Sequence, residues 1–338
     1  MKTRLSVIAI TVLVALGISF GDALAKSRTI RVSYNVAQGS SWDKGAQKFK
    51  EIVEKNSNGE IKVETFPSAV LAQGNDRIEI EMAQSGVIDM LIKSTMWMPA
   101  LDQRFATIML PFQFANHDVA EAVMDGPAGN MLMDILPKHK LKGLAWGVNG
   151  FRQVTNGRKE IRRPADLQGL KMRVPGLDLA LAIFRKMGAV PVSMSFAEVF
   201  TALQTQTVDG QENPLSLIWS SRFFEVQKYI TLWNYMYDAV CFISSEKLWN
   251  SLSLAERDLI AKAAKEAMNF ERQVVRGEDK SLSGELEKKG MKVTVLSPAE
   301  LKEFQDALRP VYDEFKVKLG KETVSVFERE VAKTVKKK

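Results

Sequence analysis

The chain has 338 residues, 46% of them hydrophobic and 26% charged, which is long enough for two domains and a sizeable core. That composition excludes disorder, a collagen-like repeat and a disulfide scaffold. Lys and Arg number 47 against 40 Asp and Glu, a formal charge of +7, but Lys333, Lys336, Lys337 and Lys338 crowd the C-terminus; so small and terminal a surplus argues against nucleic acid as a partner.

Met1-Lys2-Thr3-Arg4 is a short positive region, Leu5 to Phe20 is largely apolar, and Ala23-Leu24-Ala25 has the small-x-small pattern of a signal-peptidase site. Cleavage after Ala25 is expected. The alternative, a membrane anchor, is opposed by Asp22 and by the site that follows directly. The mature protein is then soluble and outside the cytoplasm, in the periplasm if the cell has one.

Thr29 to Tyr34 alternates as a strand does, Asp43 to Asn56 carries Ala46, Phe49, Ile52 and Val53 at helical spacing, and Ile61 to Phe66 alternates again. This is β-α-β, the start of a parallel sheet. A helix follows over Asp76–Gln84, then strands at Ile88–Ile92 and Gly143–Val148. The last leads into Asn149-Gly150, the first plausible crossing between lobes. The pattern resumes with a helical turn at Pro164–Leu167, a strand at Leu170–Val174, a helix at Leu177–Met187 and a strand at Val190–Ser193. Ser195-Phe196-Ala197-Glu198 has capping-box spacing and opens a helix to about Gln206. Gln84 to Asp89 and Gln204 to Asp209 echo one another, each ending a helix and starting a strand, so two similar α/β lobes are inferred. Ligands of such sheets bind beyond the carboxyl ends of the strands. Capping boxes at Ser253 and Ser297 open a helix to about Lys289, interrupted near Gly277, and one more helix. The C-terminal third is mostly helical packing.

Phosphate loops, dinucleotide fingerprints and nucleophile elbows are absent from the sequence. Cys241, the one cysteine, sits in an apolar run and reads as a buried thiol. With His117 and His139 as the only histidines, a metal site is not expected; both read as surface residues, His117 at a helix start. Glu79 and Glu81 fall in a polar helix without sign of burial and are poor candidates for acid/base work. Arginines at strand ends are the informative feature. Arg152 lies just past one strand, and Arg173, between Met172 and Val174, lies two residues before Pro175. A guanidinium so placed can hold a carboxylate by two parallel hydrogen bonds. The amide of Asn213, at the end of Asp209-Gly210-Gln211-Glu212-Asn213-Pro214, can add a third.

These residues carry a family resemblance. Gly150-Phe151-Arg152-Gln153, Pro164-Ala165-Asp166-Leu167, Lys171-Met172-Arg173-Val174-Pro175, Ser195-Phe196-Ala197-Glu198, Val208 to Pro214 and Phe224 to Tyr229 together resemble the dicarboxylate-binding type of solute-binding protein of tripartite ATP-independent periplasmic (TRAP) transporters. Phe66-Pro67-Ser68-Ala69 and Leu110-Pro111-Phe112 fit as well. The resemblance implies an α/β, two-lobed periplasmic solute-binding fold, each lobe a mixed sheet flanked by helices, with a long helix spanning both. Residues 1–25 are then the signal peptide, 26–149 with about 238–277 lobe I, 150–237 with about 278–330 lobe II, and 331–338 a basic tail.

On that likeness Arg173 pairs with a substrate carboxylate, Arg152 is a second cation near it, Asn213 an amide donor and Phe196 a wall of the pocket. Asn35 and Asp76 contribute from the first lobe, and Trp97 and Lys93 lie where selectivity varies, with Lys93 either reading a second carboxylate or hydroxyl or standing as an exposed lysine on a loop. Trp219 and Trp233 are open between pocket and core. No cofactor, metal or catalytic residue is implied. The partners are a small carboxylate and a two-subunit TRAP permease, and the protein is a monomer. A secreted enzyme acting on carboxylates and a sensor-partner binding protein are the alternatives; the enzyme lacks a nucleophile or base set among partners.

Overall fold

The computed structural model describes residues 28–336, so the expected signal peptide lies outside the described residues. The elements run β1 (Arg28–Ser33), α1 (Ser41–Asn56), β2 (Ile61–Phe66), α2 (Asp76–Gln84), β3 (Met90–Ser94), α3 (His117–Met124), α4 (Pro127–Met133), β4 (Leu141–Phe151) and β5 (Gln153–Asn156). They continue with β6 (Lys171–Val174), α5 (Asp178–Lys186), β7 (Val190–Ser193), α6 (Val199–Gln204), β8 (Gly210–Asn213), α7 (Leu215–Ser220) and β9 (Tyr229–Leu232). The last are β10 (Tyr237–Ser245), α8 (Glu246–Ser251), α9 (Leu254–Lys288), β11 (Lys292–Val295), α10 (Pro298–Lys318) and α11 (Lys321–Lys336).

Two mixed sheets organise them, one in the order β2-β1-β3-β10-β4 and one in the order β11-β9-β5-β8-β6-β7. In the first, β1 runs parallel to β2 and β3, while β10 is antiparallel to both β3 and β4. In the second, β6 is parallel to β7 and β8, and β5 is antiparallel to β8 and β9. The chain passes from the first sheet to the second at Arg152, the single residue between β4 and β5, and returns between Leu232 and Tyr237. The crossing expected at Asn149-Gly150 is a β-bulge inside β4, where Asp238 faces Gly150 but Ala239 faces Val148, leaving Asn149 as the extra residue. Gly150 has φ +125° and a Cβ there would stand 3.0 Å from Pro214, so only glycine turns the strand here.

The sequence echo has a structural basis. Asp89 and Asp209 each stand one residue before a strand, and each accepts the backbone N–H of the neighbouring strand: Arg31 N to Asp89 at 2.9 Å and Lys171 N to Asp209 at 2.8 Å. Each also meets an arginine, Arg31 or Arg158. A carboxylate that begins one strand by tethering another is thus used once per sheet. The same tether explains why β3 starts at Met90 and not at Ile88.

Helix α9 is uninterrupted at Gly277, where a Cβ would touch nothing within 4 Å; the glycine lies on an open face and costs only propensity. Its first part packs with α1 and β4 through Ile260, Ala264 and Met268, and its last part packs on the second sheet through Leu282 and Leu286. The capping box at Ser253 is formed, with Ser253 N–H donating to Glu256 at 2.7 Å. Residues 331–336, expected as a basic tail, are the last turns of α11, because Val331 still packs against the core. Strands β5, β9, β10 and β11 are absent from the sequence reading. β10 is buried along its whole length and so shows an apolar run, with no alternation to mark it. Cys241 lies within it, and burial pushes its thiol well up.

Glu271 of α9 is fully buried beside β4, accepting the Val148 N–H at 2.9 Å through Oε2 while Oε1 has no partner. Burial pushes its carboxyl up to about 8, against the opposing pull of the Val148 N–H and Arg272. The folded chain therefore holds a proton that the unfolded chain, titrating near 4.5, has released. The stability this group contributes is complete below the unfolded value and is lost as pH climbs from there to about 8. Glu271→Gln should remove that loss: its melting temperature, followed by scanning calorimetry, should gain on the wild type as pH is raised through this window.

Candidate functional site

Arg173, Lys93 and Asn213 lie at or next to the carboxyl ends of β6, β3 and β8, and Asn35 just beyond β1, where open α/β sheets gather ligands. Asn35, Trp97, Arg152, Arg173, Phe196 and Asn213 line one cavity between the two sheets. Of the residues expected in the site, Asp76 and Lys93 do not line it. The wall also takes Pro175, from the same motif as Arg173, and Val36, Trp42, Asn149 and Leu217, which no quoted motif marks. Trp219 and Trp233 are elsewhere: Trp233 is core, packed on Tyr235 and Phe304, and Trp219 stacks on Phe224. The cavity measures about 20 Å³, room for one water, so an organic molecule enters only when the sheets part.

The three buried cations near this cavity differ in their partners. Arg152 is 2% exposed. Its Nε and Nη2 donate to the Glu212 carboxylate, its Nη1 to Asp238 at 2.9 Å, and its Nη2 also to the Glu212 carbonyl and to Asn213 Oδ1. Burial opposes its charge, but Glu212 and then Asp238 hold its pKa above the ordinary value. Asp238 is itself pushed up by burial, against the pull of Arg152 and of hydrogen bonds from Asn149, Ser94 and Thr95. Arg152 is thus near the cavity, as expected, but its charge is already matched by the protein.

Lys93 is the second case, and here the sequence reading needs correction. It is neither on a loop nor exposed: it lies within β3, is 0% exposed, and its Nζ donates to Asp76 and Glu79 at 2.6 Å each. Burial lowers its pKa, and Glu79 and Asp76 outweigh that and raise it. Glu79, expected on an open helix face, is fully buried for the same reason; an amphipathic pattern cannot show that an ammonium waits beneath the helix. Asp76 also accepts from Asn35 Nδ2.

Arg173 is the third case and differs from the others. It is 1% exposed, and its Nε and Nη2 both donate to the Met194 carbonyl, at 3.2 and 2.8 Å. No carboxylate among the described residues forms an ion pair with it. Burial pushes its pKa down to about 10, with Arg152 adding to the fall and Glu212, Asp76 and Glu198 opposing it from a distance. Phe196 lies 6.0 Å from its Cζ. A buried charge without a counter-ion is costly, which sets Arg173 apart from the other two cations.

Among the described residues no group of His, Cys, Asp and Glu is placed to hold a metal ion, and no helix is long and apolar enough to cross a membrane. His117 begins α3, half-buried, with its Nε2 2.7 Å from Asp279.

Residues 32–318 match the family described as bacterial extracellular solute-binding protein, family 7. The chain belongs to this family. It is 32% identical to the 2,3-diketo-L-gulonate-binding periplasmic protein of Escherichia coli, over 86% of this chain and 87% of the other. The structure superposes on the sugar acid binding protein of Advenella mimigardefordensis in complex with galactonate, with TM-score 0.88, 39% identity and 91% and 99% of the two chains covered. It also superposes on a TRAP periplasmic solute binding protein from Shewanella oneidensis with bound succinate, with TM-score 0.86, 30% identity and 90% and 99% covered. The TRAP resemblance and the two-lobed α/β fold inferred from the motifs are therefore right. Family 7 proteins are periplasmic solute-binding components of transport.

The two arginines of this family 7 site should separate in stability measurements. Arg152→Met leaves Glu212 and Asp238 buried without their cation and should cost about 3 to 5 kcal/mol. Arg173→Met removes an unmatched charge and should leave the unliganded melting temperature unchanged or raise it. Scanning calorimetry of both ligand-free variants checks the contrast; equal losses would contradict it.

Proposed function

We propose that this protein captures an organic acid by its carboxylate, between lobes formed by residues 26–149 with about 238–277 and 150–237 with about 278–330, and delivers it to a two-subunit TRAP permease. One observation carries the reading: Arg173 is buried at the cavity wall without an ion-pair partner among the described residues. A ligand carboxylate supplies the counter-ion, and a charge-assisted pair shielded from water is strong. Asn213 gives one amide hydrogen to Gln211 at 2.6 Å and has its second for the ligand. Phe196 and Trp97 close the sides of the cavity. The ligands named for relatives, diketogulonate, galactonate and succinate, are all organic acids. The protein binds and does not react, acts as a monomer in the periplasm, and reaches it after cleavage behind Ala25.

The test is a thermal-shift screen of the chain from Lys26 onward against organic acids and matched neutral amides and sugars, since a ligand that binds only the folded state raises the midpoint with occupancy. Acids should shift the midpoint and neutral analogues should not. Arg173→Ala should weaken binding roughly 30-fold or more while the fold survives. Wild-type affinity in that variant, or no response to any acid in protein shown by mass spectrometry to carry none, would overturn the assignment.

A further inference from the structure

We propose, resting on the carboxylate reading above, that this site selects hydroxylated monocarboxylates of the aldonate kind over dicarboxylates. The unmet groups of the cavity wall match the groups that such a ligand brings. Arg152 and Arg173 are the cations that line the cavity. Arg152 is shared by Glu212 and Asp238, and Lys93 behind the wall is shared by Asp76 and Glu79. Each of these cations already faces two carboxylates, so Arg173 alone matches a ligand anion, and it matches one. A second ligand carboxylate would be buried among protein carboxylates without a cation of its own, an arrangement that favours neither partner.

Across the cavity stands a different unmet group. Asn35 lines the wall, and its Nδ2 donates to Asp76, whose carboxylate Lys93 also grips. A carboxylate only accepts, so the amide is held with its nitrogen toward Asp76 and its Oδ1 turned away. That Oδ1 is buried and has no donor among the described residues. Of the other polar side chains of the wall, Ser94 donates to Asp238, Asn149 lies between the Trp42 indole N–H and Asp238, and Asn213 lies between Arg152 and Gln211 with one amide hydrogen left for the ligand anion. The wall therefore asks for one anion at Arg173 and one hydrogen-bond donor at Asn35. A hydroxyl supplies the donor; an ionised carboxylate has no hydrogen to give. A site with a buried polar group discriminates strongly against the ligand that leaves it unpaired.

Isothermal titration of the ligand-free protein with pairs of equal chain length tests this. A six-carbon aldonate is set against its aldarate, which differs only in a terminal carboxylate, and trihydroxybutanoate is set against succinate and butyrate. The aldonate and trihydroxybutanoate should each bind about tenfold or more tighter than their partners, and Asn35→Ala should bring trihydroxybutanoate down to the level of butyrate. A dicarboxylate that binds as tightly as its hydroxylated monocarboxylate partner, butyrate that equals trihydroxybutanoate, or a preference for trihydroxybutanoate over butyrate that survives in Asn35→Ala overturns this inference and leaves the carboxylate reading standing. Failure of every acid to bind overturns both.

Discussion

The structure depends on one guanidinium. Arg152 occupies the single position between β4 and β5, and from there it holds Asp238 of the first sheet and Glu212 of the second. The backbone is fastened at the same point, since the Arg152 N–H donates to the Met236 carbonyl of the returning segment at 2.9 Å. None of the three charges is tolerable in the interior alone, but together they satisfy one another in a place that belongs to neither sheet. A hydrogen-bond chain spreads from it into the second sheet: Arg152 to Asn213, Asn213 to Gln211, Gln211 to Thr155 and Thr155 to Gln227. The register of β5 against β8 is thereby tied to the crossing, and Arg173, opposite Gln211 on the next strand, inherits its place from it.

Against that background the isolation of Arg173 becomes informative. The protein assigns two carboxylates to Arg152 and two to Lys93, so acidic groups are not scarce near the cavity. Arg173 is given a backbone carbonyl instead. A carbonyl orients the guanidinium without neutralising it, which fixes the donors in space and keeps the charge available. Pre-set orientation lowers the cost of ordering the site when the ligand arrives.

Much of this was legible in the chain. Helix α2 and strands β2 and β7 fall where periodicity puts them, and the capping boxes at Ser195, Ser253 and Ser297 form, because these features are local and depend on spacing along the chain. Arg173 was legible because a charge between Met172 and Val174 conflicts with a strand's apolar surroundings, and such conflicts mark sites. What was hidden is non-local. Glu79 reads as a surface residue until β3 brings Lys93 beneath it. Glu212 and Asp238 are separated in sequence and meet only through Arg152. The fully buried β10 has no alternation to betray it, although the charge of Asp238 beside the apolar run from Ala239 was a usable signal that a buried ion lay there.

The same ties decide how the molecule can move. Helix α9, 35 residues long, spans about 50 Å and is fastened near its middle: Arg272 to Asp125, Arg276 to Glu121 and His117 to Asp279. On the capture reading proposed above, the sheets part by turning about the Arg152 crossing, beside which Gly150 and the left-handed Asn234 (φ 47°) lie on the chain's two passages. The cavity lies beside that pivot, with Arg173 on the strands of one sheet and Asn35 on those of the other. On that reading an acid bound to Arg173 in an open state lacks the contacts that the first sheet supplies. The rest form only when the sheets close, and the free energy that favours closure is the difference in what the ligand gains between the two states. A ligand that leaves Asn35 unmet would still bind Arg173, but it would hold the lobes together less well, so recognition and closure are the same discrimination read at two points.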